Sequence, residues 1–380
     1  MSDLSNIQYI SLLGFFLAII FGFVAAKTNF CTMGAVSDLV NIGSKGRLGA
    51  WFFAAGVAIL GAQYLSLQDM VALNDTMYLS TNFALVGYIL GGFLFGIGMT
   101  LGAGCGQRNL VRVGGGNLKS VVVVIIMGIT AYMTMRGLLA VVRIEVIEQG
   151  NVNLADMGME TQSLSQLVSA AFGIQHGYSL QLAMALLVGL GLMLYALKQE
   201  EFRTSFDNIL AGVVIGSSVV AAWYITGVVG YDDFDPVAPQ GLTFVGPTGN
   251  TVSYLMTFTG AEINFGIAVT FGMILGSFAY AISTGNFRIE TFNSKSEMQA
   301  QMIGAVLMGF GGVISFGCTI GQGVSGLSTL AMGSFITLAM IFFGSALTMK
   351  VQYQMMDEEP FVKAITSSAT EILNPFKKAE

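Results

Sequence analysis

Runs of about 20 apolar residues recur along the chain, parted by short polar or charged stretches. They fall near 9–26, 47–66, 83–103, 119–139, 180–197, 208–229, 262–283, 299–316 and 328–349. A helix of about 20 apolar residues is long enough to cross a hydrocarbon core. The pattern predicts an all-α polytopic membrane protein with about nine transmembrane helices. Three shorter stretches, 29–38, 104–113 and 317–326, are too short to cross and too apolar for free loops. They predict re-entrant half-helices, tolerable where protein rather than lipid surrounds their backbone groups.

Composition sharpens this picture. The 380 residues are 54% hydrophobic and only 10% charged, against about 25% charged in soluble domains. The net charge of −6 is spread out, which speaks against a nucleic-acid surface. Forty-nine glycines suit helices whose backbones approach closely. The first run lacks a basic leader and a small-residue cleavage site, so it reads as a retained span rather than a signal peptide.

Loop charges predict an orientation. Lys27, Lys45, Arg47, Arg108, Arg112, Lys119, Lys198, Arg203, Arg288, Lys295 and Lys350 fall in loops on one side. Asp69, Asp75, Glu145, Glu148, Asp156, Glu160, Asp232, Asp233 and Asp235 fall on the other; Arg136 and Arg143 dissent. The positive-inside rule then puts the N-terminus outside and the C-terminus in the cytoplasm.

An internal repeat is visible. A shift of 213 residues carries Gly91 to Gly304, Leu94 to Leu307, Gly96 to Gly309, Gly98 to Gly311, Gly104 to Gly317 and Cys105 to Cys318. The chain reads as one membrane domain over 1–380, with a first repeat at 9–139, a second at 208–349 and a cytoplasmic tail at 351–380. By the span count the repeats cross in opposite directions. That arrangement places a transporter's site at the repeat interface. The counterpart of Cys31 is Phe244, expected within a loop at 241–249.

The candidate chemistry lies at the breaks. Cys31, Cys105 and Cys318 are the only cysteines, and each sits where an apolar run ends. An odd, widely spaced set implies no disulfide framework. One histidine, His176, gives no basis for a metal site. No Walker loop, G-x-S-x-G or second histidine is present, which argues against an enzyme and against a resident cofactor. Gly104 and Gly106 flank Cys105; Gly317 and Gly321 surround Cys318. A half-helix beginning inside the membrane offers N–H groups to an anion. A thiol adds a soft, polarisable sulfur. Arg108 and Arg112 could attract an anion on the cytoplasmic side, although topology explains them equally well. The candidate path is therefore Cys31, Cys105, Cys318, Gly104, Gly106, Gly317, Gly321, Gln322, Arg108 and Arg112. The blander reading is that the thiols are small core residues. Three of them at three breaks, two related by the repeat, favour the path. Methionines read as core filler. Gln107 and Gln322 serve either cross-helix bonding or cargo, and Asp38 reads as a cap or ion-pair partner.

The stretches Thr28-Asn29-Phe30-Cys31-Thr32-Met33-Gly34, Gly91 to Gly98 with Gly104-Cys105, Gly276-Ser277-Phe278 with Phe287-Arg288, and Gly304 to Gly311 with Gly317-Cys318-Thr319-Ile320-Gly321 resemble the YeeE/YedE family of bacterial membrane proteins. The resemblance implies uptake of thiosulfate through the bacterial inner membrane. It implies an hourglass-shaped fold, a narrow path lined by Cys31, Cys105 and Cys318, and passage of the ion between thiols by transient S–H···S hydrogen bonds. It also implies a small cytoplasmic TusA-like sulfurtransferase as partner. One departure is Gln107-Arg108-Asn109, where better-known members carry small or uncharged residues. Another sulfur or selenium species therefore stays open as cargo. A membrane redox or sulfurtransferase component carrying a cysteine persulfide is the alternative from a different class.

Overall fold

A computed structural model describes residues 5–173, 177–231, 238–357 and 360–373. His176, Asp232, Asp233 and Asp235 lie outside the described residues. The first half contains α1 (Asn6–Lys27), α2 (Thr32–Ser37), α3 (Gly46–Leu67), α4 (Gly92–Leu101), α5 (Gly106–Gly114) and α6 (Leu118–Arg136). A connecting region follows, with α7 (Leu138–Val142), α8 (Leu164–Phe172), α9 (Tyr178–Lys198) and α10 (Glu200–Arg203). The second half contains α11 (Phe206–Tyr224), α12 (Val245–Met256), α13 (Phe265–Ser283), α14 (Lys295–Ile314) and α15 (Met332–Met356), and α16 (Phe361–Leu373) ends the chain. Two short strands, β1 (Asn82–Phe83) and β2 (Val152–Asn153), pair antiparallel.

Polar caps punctuate the apolar runs. Ser5, Asn117, Ser205, Asn264 and Ser294 each accept the backbone N–H three residues on, at the starts of α1, α6, α11, α13 and α14. Such caps satisfy donors that a helix start otherwise leaves bare. The chain is a multi-pass membrane protein: among the described residues, eight helical stretches are long and apolar enough to cross a bilayer. The expected ninth span, 299–316, is α14. It is helical over 20 residues, but its first two turns carry Lys295, Glu297, Gln299 and Gln301, which dilute its apolarity.

The stretch 241–249, expected as loop, is corrected by the structure: helix α12 starts at Val245. Pro247 sits in its first turn, where a missing N–H costs nothing. Thr248 and Thr251 turn their hydroxyls back onto the carbonyls of Phe244 and Pro247. The last span also runs past its expected end at 349, as far as Met356. There α16 folds back on α15, and Lys350 pairs with Glu371 at 2.5 Å.

Helix partners recur in matched pairs. In chain order, α1, α2, α3, α4 and α6 correspond to α11, α12, α13, α14 and α15. Exchanging each for its counterpart turns the α1–α13 contact into α11–α3, the α4–α15 contact into α14–α6, and the α2–α15 contact into α12–α6. Both Thr32 and Val245 open their helices, and 245 − 32 = 213, the shift seen in the sequence.

Small residues let these helices touch. On α1 and α13, a Cβ at Gly22 would strike the Met273 carbonyl, one at Gly272 the Phe15 carbonyl, and one at Gly276 the Ile19 carbonyl. Overpacking a close contact costs about 1–3 kcal/mol. Gly276→Val is therefore expected to lower the thermal midpoint of the detergent-purified protein by several degrees. Gly191 on α9 has open space around it, and Gly191→Val should leave the midpoint unchanged. Equal effects from the two variants would contradict a backbone-contact role for Gly276.

Candidate functional site

Each cysteine follows a helix that stops in the same way. The helices α1, α4 and α14 end at Thr28, Gly102 and Ser315. The next residue, Asn29, Ala103 or Phe316, adopts a left-handed backbone, with φ of 52°, 55° and 60°. Two positions later comes Cys31, Cys105 or Cys318. After α4 and α14 the reversal closes with paired bonds: Gly104 N–H to Met99 O and Ala103 N–H to Thr100 O, then Gly317 N–H to Gly312 O and Phe316 N–H to Val313 O. This is the Schellman pattern, which normally wants glycine at the left-handed position. Holding a side chain there costs about 1–2 kcal/mol. Gly104, at φ 156°, carries the continuing turn where a Cβ would press on the Arg108 side chain.

A new helical segment starts at each thiol. Cys31 and Cys105 stand at the N-caps of α2 and α5, and a π turn over Gly321–Gly326 follows Cys318. The N–H groups expected to be free for an anion are partly taken. The Cys31 sulfur accepts from Gly34 N–H at 3.4 Å, and the Cys318 sulfur accepts from Gly321 N–H at 3.4 Å.

The breaks converge. Cys31 and Cys105 are electrostatic neighbours. The Cys105 thiol also points at Gln107 Oε1 over 3.9 Å and faces the hydroxyl of Thr319, the residue after Cys318. Thr243 Oγ1 lies 4.0 Å from the Cys318 sulfur. The Tyr78 hydroxyl faces Gly321, whose N–H donates to that sulfur. All three thiols are buried, at 8%, 0% and 0% exposure, so none faces lipid. Burial, together with the nearby Cys318 sulfur, pushes the Tyr78 hydroxyl far above its ordinary pKa, keeping it a donor.

Amide side chains brace the breaks from behind. Asn109 Nδ2 donates to Gly104 O at 2.8 Å and reaches Gly102 O at 3.4 Å. Its counterpart Gln322 donates to Ser315 O at 2.5 Å, while Ser334 donates to Gln322 Oε1 at 2.5 Å. Both ends of the Gln322 amide are thus occupied. The candidate glycines fit tightly. A Cβ at Gly106 would press on Met127 at 3.2 Å, one at Gly317 would meet Gln322 at 3.1 Å, and one at Gly321 would collide with Thr243.

A cavity of about 610 Å³ opens onto this core. It is lined by Asn29 and Ala103, each two residues from a thiol, by the cations Arg108, Arg112, Lys119 and Arg288, and by the two carboxylates Glu290 and Glu297. Lys119 is neutralised by Glu297 at 2.6 Å. Arg108 reaches Asn29 Oδ1 at 2.9 Å and Arg112 reaches Ala103 O at 2.6 Å, both neutral acceptors. The mouth is therefore electropositive and suited to anions. Asp38, on the same side, forms a two-pronged pair with Arg47 at 2.5 and 2.6 Å.

Sequence reasoning assembled the thiols, their glycines and the two arginines but missed Tyr78, Thr243, Thr319 and Asn109. Asn109 carried a readable signal: an amide side chain follows both Cys105 and Cys318 by four residues. Tyr78 lies in a loop region with nothing in its neighbourhood to mark it.

The comparisons with known proteins agree on one family. A family model described as sulphur transport matches residues 27–347. Among curated proteins, the thiosulfate transporter TsuA of Escherichia coli is 25% identical over 340 residues, covering 85% of this chain and 89% of its own length. The thiosulfate transporter TsuA of Spirochaeta thermophila is 24% identical over 332 residues, covering 87% and 94%.

The amide brace gives a direct test. Gln322→Leu leaves the Ser315 carbonyl and the Ser334 hydroxyl buried without their partner, at about 1–3 kcal/mol each. The purified variant is expected to melt several degrees below the parent. An unchanged midpoint would remove Gln322 from the scaffold.

Proposed function

The chain belongs to the sulphur transport family, and from that premise we propose that it carries thiosulfate inward across the bacterial inner membrane. The observation that carries this reading is the meeting of the three helix breaks. Cys31 lies near Cys105, and Cys105 near the residue that follows Cys318, in a buried interior that, among the described residues, carries neutral polar side chains but no charged one, which supports this reading. Both relatives above are named thiosulfate transporters.

In this reading the two halves, 9–139 and 208–349, cross the bilayer in opposite directions. Four helices on either side of the single span α9 would produce that inversion, as repeats of this kind do in transporters. The basic loops face the cytoplasm, so the N-terminus lies outside and the cationic cavity is the inner mouth. Arg108 and Arg112 there draw the anion out of the narrow part. Within it, the terminal sulfur of thiosulfate passes among the thiols of Cys318, Cys105 and Cys31 as an acceptor of weak S–H hydrogen bonds. No covalent bond is made or broken. Gly104, Gly106, Gly317 and Gly321 hold the backbone close enough for the thiols to converge. A small cytoplasmic TusA-like sulfurtransferase receives the cargo at the inner mouth.

Proteoliposomes loaded with the purified protein provide the test. Thiosulfate influx is expected to fall at least about tenfold for Cys31→Ala, Cys105→Ala and Cys318→Ala, the loss of one bond to a charged group. Sulfate, similar in size and charge but without the terminal sulfur, should not be carried. Undiminished influx through all three variants would end the thiol-path reading. Arg108→Gln should lower influx at low ionic strength and lose its effect at high salt, since screening removes long-range attraction.

A further inference from the structure

Among the buried polar groups without a hydrogen-bond partner are three around the Cys105 and Cys318 breaks: Gln107 Nε2, Thr319 Oγ1 and Tyr78 Oη; Thr32 Oγ1, after Cys31, is another. The residues of those three are 1%, 0% and 2% exposed, so water does not reach them from bulk. An unpaired buried donor costs about 1–3 kcal/mol, and such groups are rare in native interiors. Here all three attend the two thiols related by the repeat. Gln107 meets the Cys105 sulfur through its own Oε1 at 3.9 Å, which leaves the Nε2 donors free. Thr319 Oγ1 has only weak contact with the Cys105 sulfur. Tyr78 lies near the Cys318 sulfur, and its hydroxyl faces Gly321 together with Thr243 Oγ1. The absence of a Cβ at Gly321 leaves these oxygens clear of the backbone there.

We propose that Tyr78, Thr319 and Gln107 form an oxygen-reading rail alongside the thiols, one that binds the oxygens of a dehydrated sulfur oxyanion while the thiols hold its terminal sulfur. The inference rests on the thiosulfate reading above and adds the residues that recognise the other end of the ion. The physical need is plain. A thiol is a weak donor, so thiols alone leave the anion's oxygens unsolvated in an apolar interior, at high cost. N–H and O–H groups bond an anionic oxygen far more strongly. Their hydrogen bonds stay unmade in the empty protein and form only with an oxygen-bearing cargo. A sulfide-like ion offers no oxygen and leaves them unpaired, so the rail selects against it.

Paired substitutions of one side chain separate recognition from packing. Thr319→Val keeps the shape and removes the hydroxyl, whereas Thr319→Ser keeps the hydroxyl and removes a methyl. Tyr78→Phe removes only an oxygen. In proteoliposomes, thiosulfate Vmax/KM is expected to fall at least about tenfold for Thr319→Val and Tyr78→Phe, the effect of one lost bond to a charged group. Thr319→Ser is expected to stay within about twofold of the parent, a difference below that of one such bond. Thermal midpoints of the purified variants, read alongside, should stay at the parent value or rise, because an unpaired buried polar atom has been deleted. Thr319→Val and Tyr78→Phe both transporting within twofold of the parent overturns the rail. Equal losses for the Val and Ser variants also overturn it, by showing that position 319 acts through packing. If the cysteine variants abolish influx while these leave it intact, the thiol path stands without the rail.

Discussion

Every turn of backbone that stops inside a bilayer must find partners for its carbonyls and N–H groups, because no lipid supplies them. This protein does so at three places, and its architecture follows from how. Left-handed residues at Asn29, Ala103 and Phe316 reverse the chain. At the latter two positions the last carbonyls are recaptured by the N–H groups just beyond. Asn109 and Gln322 then reach back from the following segments to the carbonyls of Gly102 and Ser315. At Cys31 and Cys318 the sulfur itself accepts an N–H. The thiols are thus part of the backbone's own accounting as well as candidates for contact with cargo. The bracing makes the breaks after α4 and α14 fixed corners.

Charge is kept out of the narrow part and placed at its mouth. Arg108 and Arg112 border the cavity that stops at Asn29 and Ala103, while the groups around the thiols are neutral donors. A buried guanidinium would hold a dianion too tightly to release it, and its own burial would be costly. Weak thiols and neutral donors make a shallower well. Conduction requires binding favourable enough for entry and weak enough for exit. Arg108 is bound to Asn29 and Arg112 to the Ala103 carbonyl. These bonds fix the cations at the two breaks nearest the cavity, so attraction is focused where the cargo must arrive.

The spans and the breaks with their cysteines were legible because each leaves a one-dimensional trace: apolar length, clustered glycine, and a rare residue type at a boundary. The family resemblance rested on the same traces. The start of α12 was not legible, since a helix whose first turn is Val-Gly-Pro-Thr reads as loop by propensity. Packing against α6, α13 and α14 stabilises it. The polar character of the first turns of α14 likewise sets it apart from the other long helices, although a ninth run was visible. Tyr78 and Thr243 could not be found at all. They approach the Cys318 sulfur from remote loop positions, and no spacing rule links them to it. Gln322 was legible as a polar residue in an apolar segment, but its occupation at both amide ends by Ser315 and Ser334 is a three-dimensional fact.

Phe244 opens α12 at the position where Cys31 opens α2, and its ring packs against Phe21. The proposed repeat is therefore chemically lopsided. Two identical halves would present the same landscape to a traveller entering from either face. Here one half carries two cysteines at its breaks and the other a single cysteine, with Phe244 in the place of the second. Such asymmetry cannot by itself accumulate solute, because the resting concentration ratio does not depend on the shape of the route. It does let the concentrations that half-saturate the protein from its two faces differ, with Vmax differing in the same ratio.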